Sequence, residues 1–341
     1  MSKETHDKAM SRREFMERII KAGITIAAAG ALGLQIHDPH GPYAGGASGP
    51  ARLGNYKVRG LDERMAIIHG SDRRQALRRA VKAIGGIESF IKPSDRVLIK
   101  VNAAFALPAI LNANAHPDVV SEMIRLCHEA GAKDVRVTDN PINDPASCFQ
   151  LSGIKDAVEK SGGRLYMPRE SYFRPLTLPG GSLIRDWPVL YEPFEDVTKL
   201  IGISPVKDHH RSGASMSLKN WYGLLGGRRN IFHQDIHTII MELAMLARPT
   251  FVILDGTMTM MTNGPTGGSL ADLKQTDVMI ASTDPVAADA FGATLLERPL
   301  TSLPFIAKAA EAGVGTLDYE SLRPERVSLE DEHNSTQEQG A

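Results

Sequence analysis

The chain has 341 residues, a formal net charge of −1 with acids and bases interspersed, and two cysteines. Nothing resembles the basic stripe of a nucleic-acid binder, and two thiols suffice neither for a four-cysteine iron–sulfur cluster nor for a disulfide framework. Once a leader is set aside, the length allows two ordinary domains or one large one.

Ser11-Arg12-Arg13-Glu14-Phe15-Met16, followed by an uncharged run from Ala22 to Ile36, resembles a twin-arginine export signal. The run is shorter than the ~20 residues that span a bilayer comfortably. The competing reading is an amphipathic basic leader or a buried helix. Residues 1–36 are therefore expected to engage the twin-arginine translocation machinery, placing the protein in the periplasm or tethered to the outer face of the inner membrane. The cysteines, Cys127 and Cys148, lie far downstream, which excludes a lipid-modified cysteine at a mature N-terminus. Residues 37–60 are rich in Gly, Pro and Ala and read as a linker, and no later segment is long and apolar enough to cross a bilayer.

Beyond the linker, short apolar runs alternate with helical periodicity. Met65–His69 reads as a strand and Arg73–Ile84 as a helix with Ala76, Leu77, Ala80 and Ile84 on one face. Val97–Asn102 is a buried-strand pattern ending in polar residues. A helix from Pro117 to about Ala130, the strand Val135–Thr138 and a helix over Gly153–Ser161 follow. This alternation is the signature of right-handed parallel crossovers. Cys127 falls in phase with Val120, Met123 and Ile124, where a small buried hydrophobe sits; a Cys127–Cys148 bridge is the alternative.

Residues 168–197, rich in prolines and aromatics, read as irregular with a hairpin and a connecting loop. Then come a strand at Lys199–Ile203, a short helix at Met216–Leu225 and a helix at Asp235–Ala247. Strands at Phe251–Leu254 and Val278–Ala281 follow, with helices at Pro285–Leu296 and Ser302–Ala312. Residues 326–341 read as a flexible charged tail. The class is α/β with a mostly parallel sheet and flanking helices over residues 61–325. It is built either as two lobes, about 61–197 and 198–325 with a cleft between them, or as one sheet with an insertion near 168–197.

Ligands of open α/β sheets bind outside the carboxyl ends of the strands. Lys100 and Asn102, Asp139 and Asn140, Lys207 with His209 and His210, Asp255-Gly256, and Ser282-Thr283-Asp284 all fall at such ends. Together they predict one cleft for a small-molecule ligand. In it His209 or His210 transfers a proton, since neutral imidazole titrates near physiological pH. Neighbouring histidines point to opposite sides of an extended chain, so at most one should face the cleft. Lys219-Asn220 adds an amine that is an anion-binding or Schiff-base group, or a plain surface charge; Arg211, Arg228 and Arg229 nearby favour anion binding. Lys100, Asn102, Lys207, Asn220 and the loop Asn263-Gly264-Pro265-Thr266-Gly267-Gly268 are candidate substrate-binding groups, the loop through backbone N–H groups unless it is a plain turn. Asp255 and Asp284 are candidates for a divalent metal or for orienting the lysines, and Asp284 before Pro285 competes as a helix cap. His233 and His237, four apart, are a second candidate metal pair, without the Glu of a zinc-protease motif. No G-x-S-x-G elbow is present.

Taken together these motifs resemble the family called domain of unknown function 362 over about residues 95–296. The resemblance rests on Ile99-Lys100-Val101-Asn102, His116-Pro117-Asp118-Val119-Val120, Ala130-Gly131-Ala132 and Asp139-Asn140-Pro141. Downstream it rests on Ser217-Leu218-Lys219-Asn220, Asp255-Gly256, Asn263-Gly264-Pro265 and Ala281-Ser282-Thr283-Asp284-Pro285-Val286-Ala287-Ala288-Asp289-Ala290. Val101 stands where the family usually has proline, and the cysteine-rich ferredoxin-like segment of some members is missing. More weakly the arrangement is similar to the nickel-dependent lactate racemase family, which implies two α/β lobes with lysines and histidines facing a cleft. Three functions follow as expectations: an exported enzyme acting on a small carboxylate, a non-catalytic anion- or metal-binding protein, and a redox-partner or maturation protein.

Overall fold

In the computed structural model, contacts divide the chain into Met1–Pro42 and Tyr43–Ala341. The structure describes residues 12, 13, 16 and 53–331. Arg12 and Arg13 are helical and exposed, and the apolar run of the leader lies outside the described residues. Among the described residues no helix is long and apolar enough to cross a membrane.

In chain order the elements of the larger unit are β1 (Met65–His69), α1 (Arg73–Ala83), β2 (Arg96–Lys100), α2 (Pro117–Glu129) and β3 (Asp134–Thr138). Then come α3 (Pro145–Leu151), α4 (Ile154–Lys160), β4 (Arg164–Tyr166) and the hairpin β5 (Phe173–Leu176) with β6 (Trp187–Leu190). The second half brings β7 (Lys199–His209), β8 (Gly213–Ser215), α5 (Ser217–Asn220), α6 (Ile236–Leu246) and β9 (Phe251–Met260). It closes with β10 (Leu273–Ser282), α7 (Pro285–Leu295), α8 (Pro304–Glu311) and β11 (Glu325–Ser328).

The helices start where their sequences supply caps. Asp72 accepts from the N–H groups of Arg74 and Gln75, and His116 Nδ1 from that of Asp118, with Pro117 in the first turn where its missing N–H costs nothing. The main sheet runs β11-β1-β10-β9-β7-β2-β3-β4, with β8 paired to the extension of β7. Pairing is parallel from β9 through β7, β2 and β3 to β4, while β10 is antiparallel to both its neighbours β1 and β9. Because β2 of the first half lies directly against β7 of the second, no lobe boundary falls near residue 197; residues 168–197 are an insertion carrying the β5–β6 hairpin.

Alternation along each strand feeds two cores. Leu98, Leu200, Val252 and Leu254 join the core under α6, α7 and α8, and Val97, Ile99, Ile201 and Ile253 join the core under α1, α2 and α4. Cys127 and Cys148 are buried free thiols, the first in the helix position its phase indicates, and burial raises both thiol pKa values, that of Cys148 to about 11.

Several expected boundaries move. β7 continues past Ile203 to His209 because its end pairs with β8, and β9 runs to Met260 because it forms a hairpin with β10. The expected helix at 216–225 is the short α5 followed by a 3-10 turn over Trp221–Leu224. The expected flexible tail begins instead as β11, an edge strand parallel to β1, where alternating charged residues are tolerated and discourage further pairing.

Candidate active site

A cavity of about 60 Å³ opens at the carboxyl ends of β2, β3 and β7, covered by α5, its 3-10 extension and the β9–β10 hairpin loop. A single water needs ~10–15 Å³, so the space suits a ligand of a handful of heavy atoms. Asn102, Asp139, Asn140, Lys207, His209, Lys219, Asn220, Tyr222, Arg229 and His233 line it together with Pro265. A larger groove of about 730 Å³, lined by Leu53, Leu176, Leu178, Met245 and Leu246, has only Arg248 as an ionisable group and no constellation for chemistry.

The floor of the cavity is a closed polar network. Lys100, fully buried, places Nζ 2.7 Å from Asp139 Oδ1, 2.8 Å from Val101 O, 2.7 Å from Asn220 O and 2.9 Å from Asn220 Oδ1. Burial lowers its pKa while Asp139 opposes the shift. Asp139 also accepts from the N–H groups of Ala103 (2.6 Å) and Asn140 (2.8 Å). Asn220 donates to Lys100 O and Ile203 O, locking α5 to the end of β2 and the middle of β7. The network needs a glycine above it, since a Cβ on Gly223 would sit 1.9 Å from Asp139 Oδ1 and 2.8 Å from Lys100 Nζ. Lys207 belongs partly to this layer: Nζ donates to Asn102 Oδ1 (3.1 Å) and to Ala113 O, and rests 5.1 Å from the Phe105 ring centroid.

The wall is different. Among the described residues, Lys219 has neither a hydrogen-bond acceptor nor a carboxylate; its Nζ lies 5.0 Å from the Tyr222 ring centroid and faces the cavity. Burial, with Arg229 and Lys100 close by, pulls its pKa down to about 7, and burial with Lys219 beside it does the same for Lys207. The Arg229 guanidinium is held by carbonyls alone, those of Asn140 (2.9 Å), Pro141 (2.7 Å), Leu225 (3.3 Å) and Tyr222 (3.5 Å). Three cationic side chains therefore line the cavity against one carboxylate, and that carboxylate is paired with Lys100 behind it.

The two histidines of the wall carry opposite tautomers. His209 Nδ1 accepts from the N–H groups of Arg211 and Ser212, both at 3.2 Å, which leaves the ring proton on Nε2. Burial and then Lys219 and Lys207 hold its pKa far below the usual imidazole range. With Nδ1 occupied by two N–H donors, neutral His209 offers Nε2–H as a hydrogen-bond donor. His233 Nδ1 lies 3.1 Å from Asn230 O and 3.4 Å from Tyr222 Oη, an oxygen that itself donates to Arg229 O at 2.6 Å. The proton is on Nδ1, and Nε2 keeps a free lone pair. The His233 ring is stacked at 6.3 Å on His209 and tilted against Tyr222 at 5.3 Å. His210 is exposed, stacked on His209, with Nδ1 3.3 Å from Gly264 O, and does not line the cavity.

Other expected residues lie elsewhere. Asp284 folds onto the N–H groups of Val286 (2.8 Å) and Ala287 (3.0 Å) and accepts from Thr316 N (2.8 Å), so it is a helix cap. It sits at the opposite edge of the sheet because β10 runs antiparallel, with Ser282 opposite Val252 at the start of β9. Asp255 is inside β9, facing α1, where it accepts from Arg73 Nε (3.0 Å) and Thr257 N (2.9 Å). His237 is stacked on Phe305 at 6.2 Å, away from His233. Among the described residues no three His, Cys, Asp or Glu side chains converge in metal-binding fashion. The glycine-rich loop is stapled from within. Asp272 accepts from Asn263 Nδ2 (2.6 Å) and Thr262 Oγ1 (2.9 Å), Gly264 N donates to Asp208 Oδ2 (2.8 Å) and Gly267 N to Asn263 O (2.9 Å). Of this loop Pro265 lines the cavity, whereas Asn263, Gly264, Gly267 and Gly268 do not.

Sequence reasoning missed Tyr222 and the role of Asp289. The buried Asp289 carboxylate on α7 accepts from Ser217 N (2.8 Å), Leu218 N (3.0 Å) and Ser217 Oγ, fixing the start of the helix that carries Lys219 and Asn220. Burial raises its pKa to about 7. Its place five residues after Asp284, inside an alanine-rich buried helix, was the available signal.

Fold and site define an α/β protein with a small cationic cleft at its parallel strand ends. The chain belongs to the family described as domain of unknown function (DUF362), whose match spans residues 97–294. It is 25% identical over 265 residues to a thylakoid-associated protein of Synechocystis sp. (strain ATCC 27184 / PCC 6803 / Kazusa), covering 73% of this chain and 78% of that protein. Among solved structures it is similar to the lactate racemase apoprotein from Thermoanaerobacterium thermosaccharolyticum, at 13% identity and a TM-score of 0.40, over 74% of this chain and 60% of that one. A protein from Thermotoga maritima matches at 13% identity and a TM-score of 0.32, over 70% of this chain and 57% of that one. The chain thus spans less than two thirds of either solved structure.

Proposed function

We propose that this protein is an enzyme acting on a small carboxylate, a hydroxy acid or a similar acid, bound in the β2–β3–β7 cleft. The observation that carries the reading is the Lys219 amine, which faces the cavity without an acceptor while Lys207 and Arg229 stand beside it. A buried cationic group is stabilised by an opposite charge, and the described residues supply none on the wall, so the ligand does. His233 Nε2 is the group placed to take a proton from the bound acid, and His209 Nε2–H is the group placed to donate to a substrate oxygen. Small carboxylates should raise the melting temperature of the wild type and leave that of Lys219→Met unchanged. Proton NMR in deuterated buffer should then show exchange of carbon-bound hydrogen of the acid, lost in His233→Gln. A carboxylate panel without any thermal shift would overturn the reading.

We also propose export by the twin-arginine route, on the strength of Ser11-Arg12-Arg13 and the apolar run after it. Lysine lacks the planar paired donors of guanidinium, so Arg12→Lys with Arg13→Lys should leave the protein in the cytoplasm on fractionation. Unchanged export would contradict it.

A further inference from the structure

We propose that Lys219 is a covalent nucleophile, forming an imine with the carbonyl carbon of a small 2-oxo acid whose carboxylate is held by the same cleft. This rests on the anion reading above and narrows its substrate class. A lysine that serves only as a charge ends in a cage of acceptors, as Lys100 does with four oxygens and Lys207 with two. Lys219 ends in open cavity against an aromatic face, with no acceptor for its N–H protons among the described residues. Burial, with Arg229 and Lys100 nearby, brings its pKa to about 7, so near neutral pH a share of the chains carry the neutral, nucleophilic amine while Lys207 and Arg229 hold the carboxylate. The cavity admits a few heavy atoms, so a two- or three-carbon acid brings its carbonyl next to its carboxylate and within the same small space.

The remaining groups fit each proton transfer. The Lys219 nitrogen lone pair adds to the carbonyl carbon, and the π pair moves to oxygen, which is next to a donor of the His209 Nε2–H type. The added nitrogen gives one proton to His233 Nε2, which passes it to the alkoxide to make the carbinolamine hydroxyl; Lys219 and His233 both line the cavity and both lie against Tyr222. Protonated again from solvent, His233 gives a second proton to that hydroxyl, which leaves as water while the nitrogen lone pair forms the carbon–nitrogen double bond; the last proton of the iminium nitrogen then replaces the one taken from solvent. Amine plus ketone gives imine plus water, so neither oxidant nor reductant is consumed. The imine withdraws electrons from the adjacent carbon and eases removal of its hydrogen, which is the task already assigned to His233.

The test incubates the full chain with glyoxylate or pyruvate and sodium cyanoborohydride and locates the reduced adduct by intact-mass and peptide mass spectrometry. In parallel, calorimetry measures binding of malonate, which has no ketone. The expected result is one adduct per chain, on the Lys219 peptide, suppressed by malonate and absent in Lys219→Arg. Malonate binding with no adduct, or with adducts scattered over surface lysines, overturns the imine and leaves the anion site standing. Absence of both binding and adduct overturns the two together. Because the adduct is mapped on the wild type, misfolding of the arginine variant cannot rescue the proposal.

Discussion

Floor and wall of the cleft use the same residue types and differ in how they are satisfied. In the floor, Lys100, Asp139, Asn102 and Asn220 exchange hydrogen bonds with one another and with six backbone groups, and each charge has its partner. In the wall, Lys219, His209 and His233 line the cavity, and the Lys219 amine and both histidine Nε2 atoms have no hydrogen-bond partner among the described residues. The floor therefore serves the fold and the wall serves a ligand. A buried, complete network rigidifies, whereas an incomplete one costs stability that only a function would maintain.

The comparison breaks first in the floor. Asp139→Ala would leave the Lys100 ammonium buried with no counter-charge, and unfolding by denaturant should reveal a loss of about 3–5 kcal/mol. A loss below about 1 kcal/mol would mean the network is dispensable. Next, Asp289→Ala should cost about 1–3 kcal/mol by stranding Ser217 and Leu218 N–H groups at the start of α5. Because α5 carries Lys219, carboxylate affinity should fall in the same variant although Asp289 does not line the cavity. Lys219→Met should behave in the opposite way, with stability unchanged or raised by up to about 2 kcal/mol and carboxylate binding lost.

The smallest effect is in pH. The protonated lysines bind the anion, and their pKa values near 7 mean that affinity is greatest below about pH 7 and declines as pH rises above it. The same shift acts on folding with the opposite sign. Between about 7 and the usual 10.5 the unfolded lysines hold protons that the folded ones have released, so their contribution makes the folded state more stable as pH rises through that window. Titrations of affinity and of stability across pH 6–9 should therefore slope in opposite directions.

Much of the fold was legible because hydrophobic runs of strand length alternate with capped helical periods, and the order β2, α2, β3 could be taken directly from the chain. What stayed hidden was strand direction. Val278–Ser282 is as apolar as any parallel strand, yet its hairpin from β9 reverses it and carries Asp284 to the far edge. The five polar strand ends thus do not share one edge, and Asp255 lies within its strand because β9 is longer than its apolar core indicates. Lys207, His209 and Lys219 were visible as residue types at strand and loop ends. The division of labour among them was not: Lys100 is paired by Asp139 and Asn220, far along the chain, and the ring protons of His209 and His233 are set by the backbone geometry of the turns at Arg211-Ser212 and Asn230, which residue types do not display. The glycine-rich loop misled for a related reason, since its donors are taken up by Asp208 and its own Asn263 before any ligand arrives.

The central claim is that the wall of this cleft is incomplete without a small anion. Calorimetric titration of the wild-type chain with a two- or three-carbon carboxylate at pH 7.5, in two buffers of different ionisation enthalpy, tests it most directly. The account predicts one site per chain and net proton uptake on binding, because the anion restores protons to Lys219 and Lys207 whose pKa values lie near 7. No heat of binding, or binding with no proton uptake that persists in Lys219→Met, would contradict it.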